Sequence, residues 1–387
     1  MRILHTADWH VGRSIRGRSR AGEHEAVLAE LVGLAEQERA ELILMAGDVF
    51  DSATPSPEAE RIVYRTLLDL AGIAPVVMVA GNHDSPQRLA AVAPLLAASR
   101  VHVGAVLARP EDGGVIDITT AGGETARLAM LPFLSQRQIV RADDLMRLDA
   151  DQHAGRYAAR VQAVLQALSG RFSADTVNLI VTHLMVAGGT MGGGERAAHT
   201  IFDYCVPANA LPANAHYAAL GHLHRAQRVP APCPAWYPGS PLQLDFGESQ
   251  NQPGVLLVDA EPGRPAQVRE HPLTSGRLLR TLRGTLGDLE ALAGTTGSDH
   301  LRVVVVGDAR AGLSEQVRDW FPEAADVTVE PLEGGSTDPA TETPARLGRS
   351  PAELFAEYLA ERGAADGRVA ALFRDLLDEV NAPDAAS

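Results

Sequence analysis

The sequence predicts an α/β fold: two packed mixed sheets flanked by helices, followed by a small α+β domain and C-terminal helices. Three observations lead there. The first 85 residues alternate strand-like and helical stretches, the pattern of a largely parallel sheet with helices on its faces. Strand-like segments then continue to about residue 271, more than one open sheet readily accommodates. After residue 275 a second, shorter alternation begins.

In order, "RILHTAD" reads as a strand, residues 23 to 38 as an amphipathic helix, "LILMAGD" as a strand, 56 to 70 as a helix and "PVVMVAGN" as a strand. Further strands are expected at "VHVG", "GVIDIT", "ARLAMLP", "VNLIVTH", "HYAALGH", "GVLLVDA" and "AQVREH", with a helix over 155 to 168 before "VNLIVTH". These place a first domain at 1–274. Residues 275–335 read as a compact βαβαβ module, and the Gly-, Ser-, Thr- and Pro-rich 336–349 as a linker. The tail, 350–387, carries two apolar helical stripes, Leu354, Phe355, Tyr358 and Leu359, then Val369, Leu372, Phe373, Leu376 and Leu377. So short a helical pair buries little by itself and must pack on its own chain or on a partner.

Composition narrows the function. The 387 residues are 45% hydrophobic and 21% charged, the balance of an ordinary globular protein. Neither a membrane span nor the apolar region of a signal peptide is evident, so a cytoplasmic protein without a membrane partner is expected. The two cysteines, Cys205 and Cys233, form no CxxC motif and are expected to be reduced. There is no lysine, so all 34 basic residues are arginine, which excludes a Walker A loop and Schiff-base chemistry on this chain. A net charge of -15 argues against nucleic-acid binding by bulk electrostatics, though not against contacts that are local or made through a metal. The densest basic run, "GRSIRGRSR", holds Arg13, Arg16, Arg18 and Arg20.

Five strand ends carry the chemistry. "HTADWH" presents Asp8 and His10, "LMAGDVFD" presents Asp48 with Asp51 behind it, "GNHD" presents Asn82, His83 and Asp84, "IVTH" presents His183, and "ALGHLH" presents His222 and His224. Any one of these is an ordinary turn or a hydrogen-bonded core residue, and His5 and His199 are read that way. Together they form an ordered set, and the carboxyl ends of strands in an open α/β sheet are where ligands gather. Oxygen and nitrogen donors without thiolate suit manganese, iron or zinc. Two such ions roughly 3.5–4 Å apart activate a water and neutralise phosphate oxygens during in-line displacement. "GGTMGGGER", Gly188 to Arg196, reads as a mobile loop near the site, and "GSPLQLDF", Gly239 to Phe246, as a turn supporting the last ligand loop.

The five blocks in this order resemble the calcineurin-like metallophosphoesterases. The stretches "HTADWHVGR", "LMAGDVFDSATPSPEAE", "GNHDSPQRL", "HYAALGHLHRAQ", "GSPLQLDFGE" and "SPAELFAEYL" narrow the resemblance to the SbcD nuclease family, nearly end to end. That resemblance implies a first metal on Asp8, His10 and His224, a second on Asn82, His183 and His222, and Asp48 bridging both. It also implies that His83 assists the leaving oxygen without ligating metal; by the base-and-orienter logic of other sites, Asp84 is expected to orient its imidazole. Asp51 stands where relatives often carry His and is read as a supporting residue. The implied activity is that of a Mn-dependent DNA nuclease, exonuclease in the 3'-to-5' direction on double strands and endonuclease on single strands and hairpins. Residues 275–335 would be a capping domain that orients DNA, with Arg277, Arg280 and Arg283 as candidate phosphate contacts. The tail would grip an SbcC ATPase, within a complex containing a homodimer of this chain. Two rivals stay open: a small-molecule phosphodiesterase or phosphatase on the same scaffold, and a non-catalytic tether for DNA ends.

Overall fold

A computed structural model describes residues 1–135, 138, 157–195 and 205–331, with Phe355, Tyr358, Leu359, Arg368, Val369, Leu372 and Phe373. The chain divides into two compact units, Met1–Glu195 with Tyr204–Gly334, and Arg196–Asp203 with Gly335–Ser387. No helix among the described residues is long and apolar enough to cross a membrane.

The first unit begins with β1 (Arg2–Thr6), α1 (Ala21–Gln37), β2 (Leu42–Met45), α2 (Pro57–Ile73), β3 (Val76–Val79), α3 (Pro86–Ala97) and β4 (Val101–Gly104). It continues with β5 (Val115–Thr119), β6 (Thr125–Leu131), α4 (Tyr157–Ser169), β7 (Val177–His183) and β8 (Tyr217–Gly221). Then follow β9 (Gln227–Val229), β10 (Ala235–Tyr237), β11 (Gly254–Glu261) and β12 (Arg264–Pro272). One six-stranded sheet has the order β12-β11-β1-β2-β3-β4, the other β9-β10-β8-β7-β6-β5. Both are mixed: in the first, β1 to β4 run parallel while β11 joins β1 antiparallel, and in the second, β5 joins β6 antiparallel while β6 and β7 run parallel.

Strand periodicity builds the layers. Leu42, Leu44, Val77 and Val79 share a core with Leu128, Leu179 and Val181 of the other sheet. The alternate residues Ile43, Met45, Val76 and Met78 pack with Leu28 and Leu31 of α1 and Val63 and Leu67 of α2. On the far face of the second sheet, Val161 and Leu165 of α4 cover Ile180 and Leu220. Because β2 and β3 are buried on both faces, their near-continuous apolar sequence is what a doubly covered parallel strand requires.

Among the described residues, some elements differ from the sequence reading. Helix α3 was not expected; Ser85 caps it by accepting a hydrogen bond from the Arg88 amide and Pro86 occupies its first turn, while Pro94 inside it masks the helical pattern. The short β9 and β10 were also missed, being three residues each around a proline-rich connection.

After residue 275, β13 (Leu279–Gly284), α5 (Leu286–Ala291), β14 (His300–Val306), α6 (Leu313–Trp320) and β15 (Ala324–Glu330) form a parallel three-stranded sheet with β14 central. Leu289, Leu301, Val303, Val317 and Phe321 make its own core. The basic run near the N-terminus is engaged here. Arg16 pairs with Asp326 at 2.9 Å, Arg18 donates to the Ala324 carbonyl at 3.1 Å, and the buried Arg20 bonds the Gln243 carbonyl and Glu23. Glu23 also lies 2.6 Å from His300 of β14. Arg277, Arg280 and Arg283 each face a carboxylate, Glu323, Asp299 and Glu330 respectively. Residues 336–349 lie outside the described residues, as do most of 350–387. In the second unit the Phe355 ring stacks on Phe373 with centroids 4.0 Å apart, so a residue of each apolar stripe meets the other.

Candidate metal centre

The loops leaving β1 and β2 run side by side. The amides of Asp8, His10 and Val11 donate to the carbonyls of Gly47, Asp48 and Val49, each at 3.0 Å. This ladder carries the DxH segment across the end of β2. The turn demands unusual backbone: Asp8, His10 and Asp48 lie at φ 53°, 46° and 53°, and His222 at 111°. Left-handed conformations cost an L-residue on the order of 1 kcal/mol or more each, and such strain clusters at functional sites. At the exit from β3, Gly81 supplies space, since a Cβ there would collide with the Asp48 carboxylate.

The structure brings all seven sequence-predicted ligands to one place, together with His83. Ligand atoms of Asp8, His10 and His224 lie within 4.8 Å of one another, as do those of Asp8, Asp48 and His183, and those of His10, Asp48 and His83. The Asp48 Oδ2 atom is 3.5 Å from His10 Nε2 and 3.4 Å from His183 Nε2, between the two sides of the cluster. Asn82 Oδ1 is 2.9 Å from both His183 Nε2 and His222 Nδ1. Asp8 accepts the His222 amide with both carboxylate oxygens at 3.1 Å, fixing the β8 loop against the β1 loop. Phe133 lies beside the cluster, stacked on His222 with centroids 6.5 Å apart.

Electrostatics within the cluster are strong. Burial pushes the Asp8 carboxyl up to about 7, and nearby Asp48 adds to this against the pull of His183 and His224. Burial opposes ionisation of Asp48 too, yet His183, His10 and His83 hold it well below the ordinary carboxylate value. Burial lowers His10 to about 3. The same desolvation works against protonation of His183 and His224, but Asp48 lifts the first to about 9 and Glu248 the second to about 9.

A cation fits these residues. Both ring nitrogens of His10 are buried without a hydrogen bond, although carboxylates lie 3.5 Å away on either side. Buried polar atoms left so are costly unless something else satisfies them. The donors are carboxylate, amide and imidazole; neither cysteine belongs to the cluster, so the set suits divalent manganese, iron or zinc.

One expected role changes. Asp84 does not hold the His83 imidazole: its carboxylate accepts the amides of Gly81 at 2.9 Å, Phe50 at 3.0 Å and Val49 at 3.4 Å, tying the β2 and β3 exits together. A carboxylate beside three converging N–H groups is taken up by them. The His83 Nδ1 atom instead meets the main-chain oxygen of Asp51 at 2.8 Å, and the Asp51 side chain reaches His10 and Arg13. Sequence reasoning missed Glu195 and Glu248, which both contact His224. The hint was in the sequence, because Glu248 sits in the mostly apolar stretch "GSPLQLDFGE", where an acid must be either exposed or paired. The loop from Gly188 to Glu195 does lie near the site, and Arg196 falls outside the described residues.

Comparisons with known proteins identify the family. The sequence model of the family described as calcineurin-like phosphoesterase matches residues 1–226. The SbcD component of the SbcCD nuclease of Bacillus subtilis is 38% identical over 284 residues, covering 72% of this chain and 71% of that one. The corresponding protein of Rhodobacter capsulatus is 37% identical over 287 residues, covering 70% and 69%. That of Escherichia coli strain K12 is 30% identical over 302 residues, covering 75% and 73%.

Proposed function

Since the chain belongs to the calcineurin-like phosphoesterases, and among them to the SbcD nucleases, we propose that it hydrolyses DNA phosphodiester bonds with divalent metal. The observation that carries this reading is the convergence of seven oxygen and nitrogen donors from five strand ends, with the Asp48 carboxylate between His10 and His183. Asp8, His10 and His224 would hold one ion; Asn82, His183 and His222 would hold the other; Asp48 would serve both. When bound, such ions supply positive charge for the phosphate oxygens and acidify a water at neutral pH. The metal we assign is Mn2+.

The chain's own residues do the rest. A main-chain carbonyl can only accept, so the Asp51 oxygen keeps a proton on His83 Nδ1; in the imidazolium form Nε2 carries the second proton and would give it to the departing oxygen, leaving the neutral ring protonated on Nδ1. His83 donates its amide to Asp48 Oδ1 at 2.7 Å, so the proton donor and the shared ligand move together. Asp84 holds the loops that carry both.

The activity proposed is that of a 3'-to-5' double-strand exonuclease and an endonuclease on single strands and hairpins, independent of ATP on this chain. Residues 275–335 would cap the site and orient DNA. Because Arg277, Arg280 and Arg283 face carboxylates of their own module, phosphate contacts there would have to exchange an existing ion pair. The tail would dock on an SbcC ATPase: Tyr358, Val369 and Leu372 are exposed apolar residues on the predicted stripes. A homodimer in a 2:2 complex and a cytoplasmic location complete the reading.

The test is Mn-dependent degradation of end-labelled linear duplex DNA, with and without SbcC, beside turnover of a chromogenic phosphodiester. Duplex degradation supports the nuclease. Turnover of the small ester alone would make the chain a small-molecule phosphodiesterase, and no turnover of either would leave a tether.

A further inference from the structure

We propose that Glu248 is the positioning residue of His224, that Glu195 assists it from the backbone side, and that the pair sets the metal affinity of one half of the site. This rests on the metal-centre reading above. Glu248 ends the short turn Phe246–Glu248, and its side chain is 1% exposed. Each of its oxygens has one partner: Oε1 is 2.7 Å from His224 Nδ1, and Oε2 accepts the Leu244 amide at 2.7 Å. With Nδ1 held in this way, Nε2 is the ring nitrogen left for His224 to offer to an ion held with Asp8 and His10.

The glycine-rich loop closes over this pair. Glu195 accepts the amides of Gly192 at 2.6 Å, Gly193 at 2.8 Å and His224 at 3.1 Å, so one carboxylate folds the loop and pins the ligand's backbone. Gly194 lies directly on the His224–Glu248 contact, because a Cβ there would collide with Glu248 Oε1 and lie 3.2 Å from His224 Nδ1. Any larger residue would push the loop off. Asn251 holds the other side, donating to the Gly192 carbonyl at 3.1 Å. Glycine at 194 thus keeps the contact covered and in low dielectric, where a charge-assisted hydrogen bond is strongest.

The arrangement is asymmetric. His183, on the other side of the cluster, directs Nδ1 at the neutral Ala46 carbonyl at 2.8 Å. A carboxylate on the far nitrogen makes an imidazole a better donor than a carbonyl does, and removing such partners typically weakens metal binding about 10- to 100-fold. Loss of Glu248 should therefore weaken one ion and spare the other.

The experiment is calorimetric titration of the full chain with Mn2+, for wild type, Glu248→Gln and Glu195→Gln, with melting of the chelated protein as the measure of folding. Wild type is expected to bind two ions. Glu248→Gln, nearly isosteric, is expected to weaken one of them about 10- to 100-fold and leave the other unchanged, with Glu195→Gln weakening the same one less. Two ions bound by Glu248→Gln as by wild type, or both weakened equally, would overturn the proposal. Should Glu248→Gln fail to fold, the less buried Glu195→Gln decides by the same criterion. Wild type binding no Mn2+ would instead overturn the metal centre itself.

Discussion

The imidazole of His83 and the backbone of Asp51 are joined by a 2.8 Å contact from Nδ1 to the main-chain oxygen. Orientation of the proposed proton donor is therefore a property of the loop's course, independent of the side chain at 51.

Asp84 and Asp51 separate under mutation as a result. In Asp84→Asn an N–H group replaces an oxygen that now accepts backbone amides, leaving buried donors facing each other at a cost of about 1–3 kcal/mol. Thermal melting should drop and metal binding weaken along with cleavage. Asp51→Ala should keep His83 in place and cost far less. Full stability in Asp84→Asn with only cleavage lost would restore it as the partner of His83.

Asp48 is expected to be the least replaceable ligand, since Oδ2 stands between His10 and His183 while Oδ1 accepts the His83 amide. Asp48→Asn should lower DNA cleavage by about 100-fold or more and reduce the ion count in Mn2+ titration. Two ions bound with ordinary affinity would remove it from the shared position.

The Glu23–His300 contact predicts an acid-sensitive joint between the body and the C-terminal module. Burial would raise the Glu23 carboxyl, but His300 and Arg20 outweigh it and hold the value at about 2 against an ordinary 4.5. Because the folded value is the lower one, the stabilisation is complete above about pH 4.5 and is lost as pH falls toward 2. Glu23→Gln should lower stability by about 2 kcal/mol at neutral pH and flatten melting temperature against pH below 4.5. An unchanged acid profile would contradict this.

The double sheet and the clustering of the donor residues were readable in the sequence because both follow local rules. Leu42 to Met45 and Val76 to Val79 are too apolar to lie on a surface, and each strand of the site ends in donors. What escaped depends on the tertiary fold. Which group meets His83 is decided by the parallel course of two loops 32 residues apart, so a neighbouring Asp84 looked the better partner. Glu248 is 24 residues beyond His224 and meets it only after the last loop turns back. Helix α3 was hidden by Pro94, although Ser85 and Pro86 announced its start.

Counting metal and cleavage together in His83→Gln tests the account most directly. The variant should bind two Mn2+ ions, as wild type does, while degradation of end-labelled duplex DNA falls by at least about 100-fold. Full cleavage with both ions bound would remove His83 from the reaction and contradict a site in which ligands and proton donor are different residues.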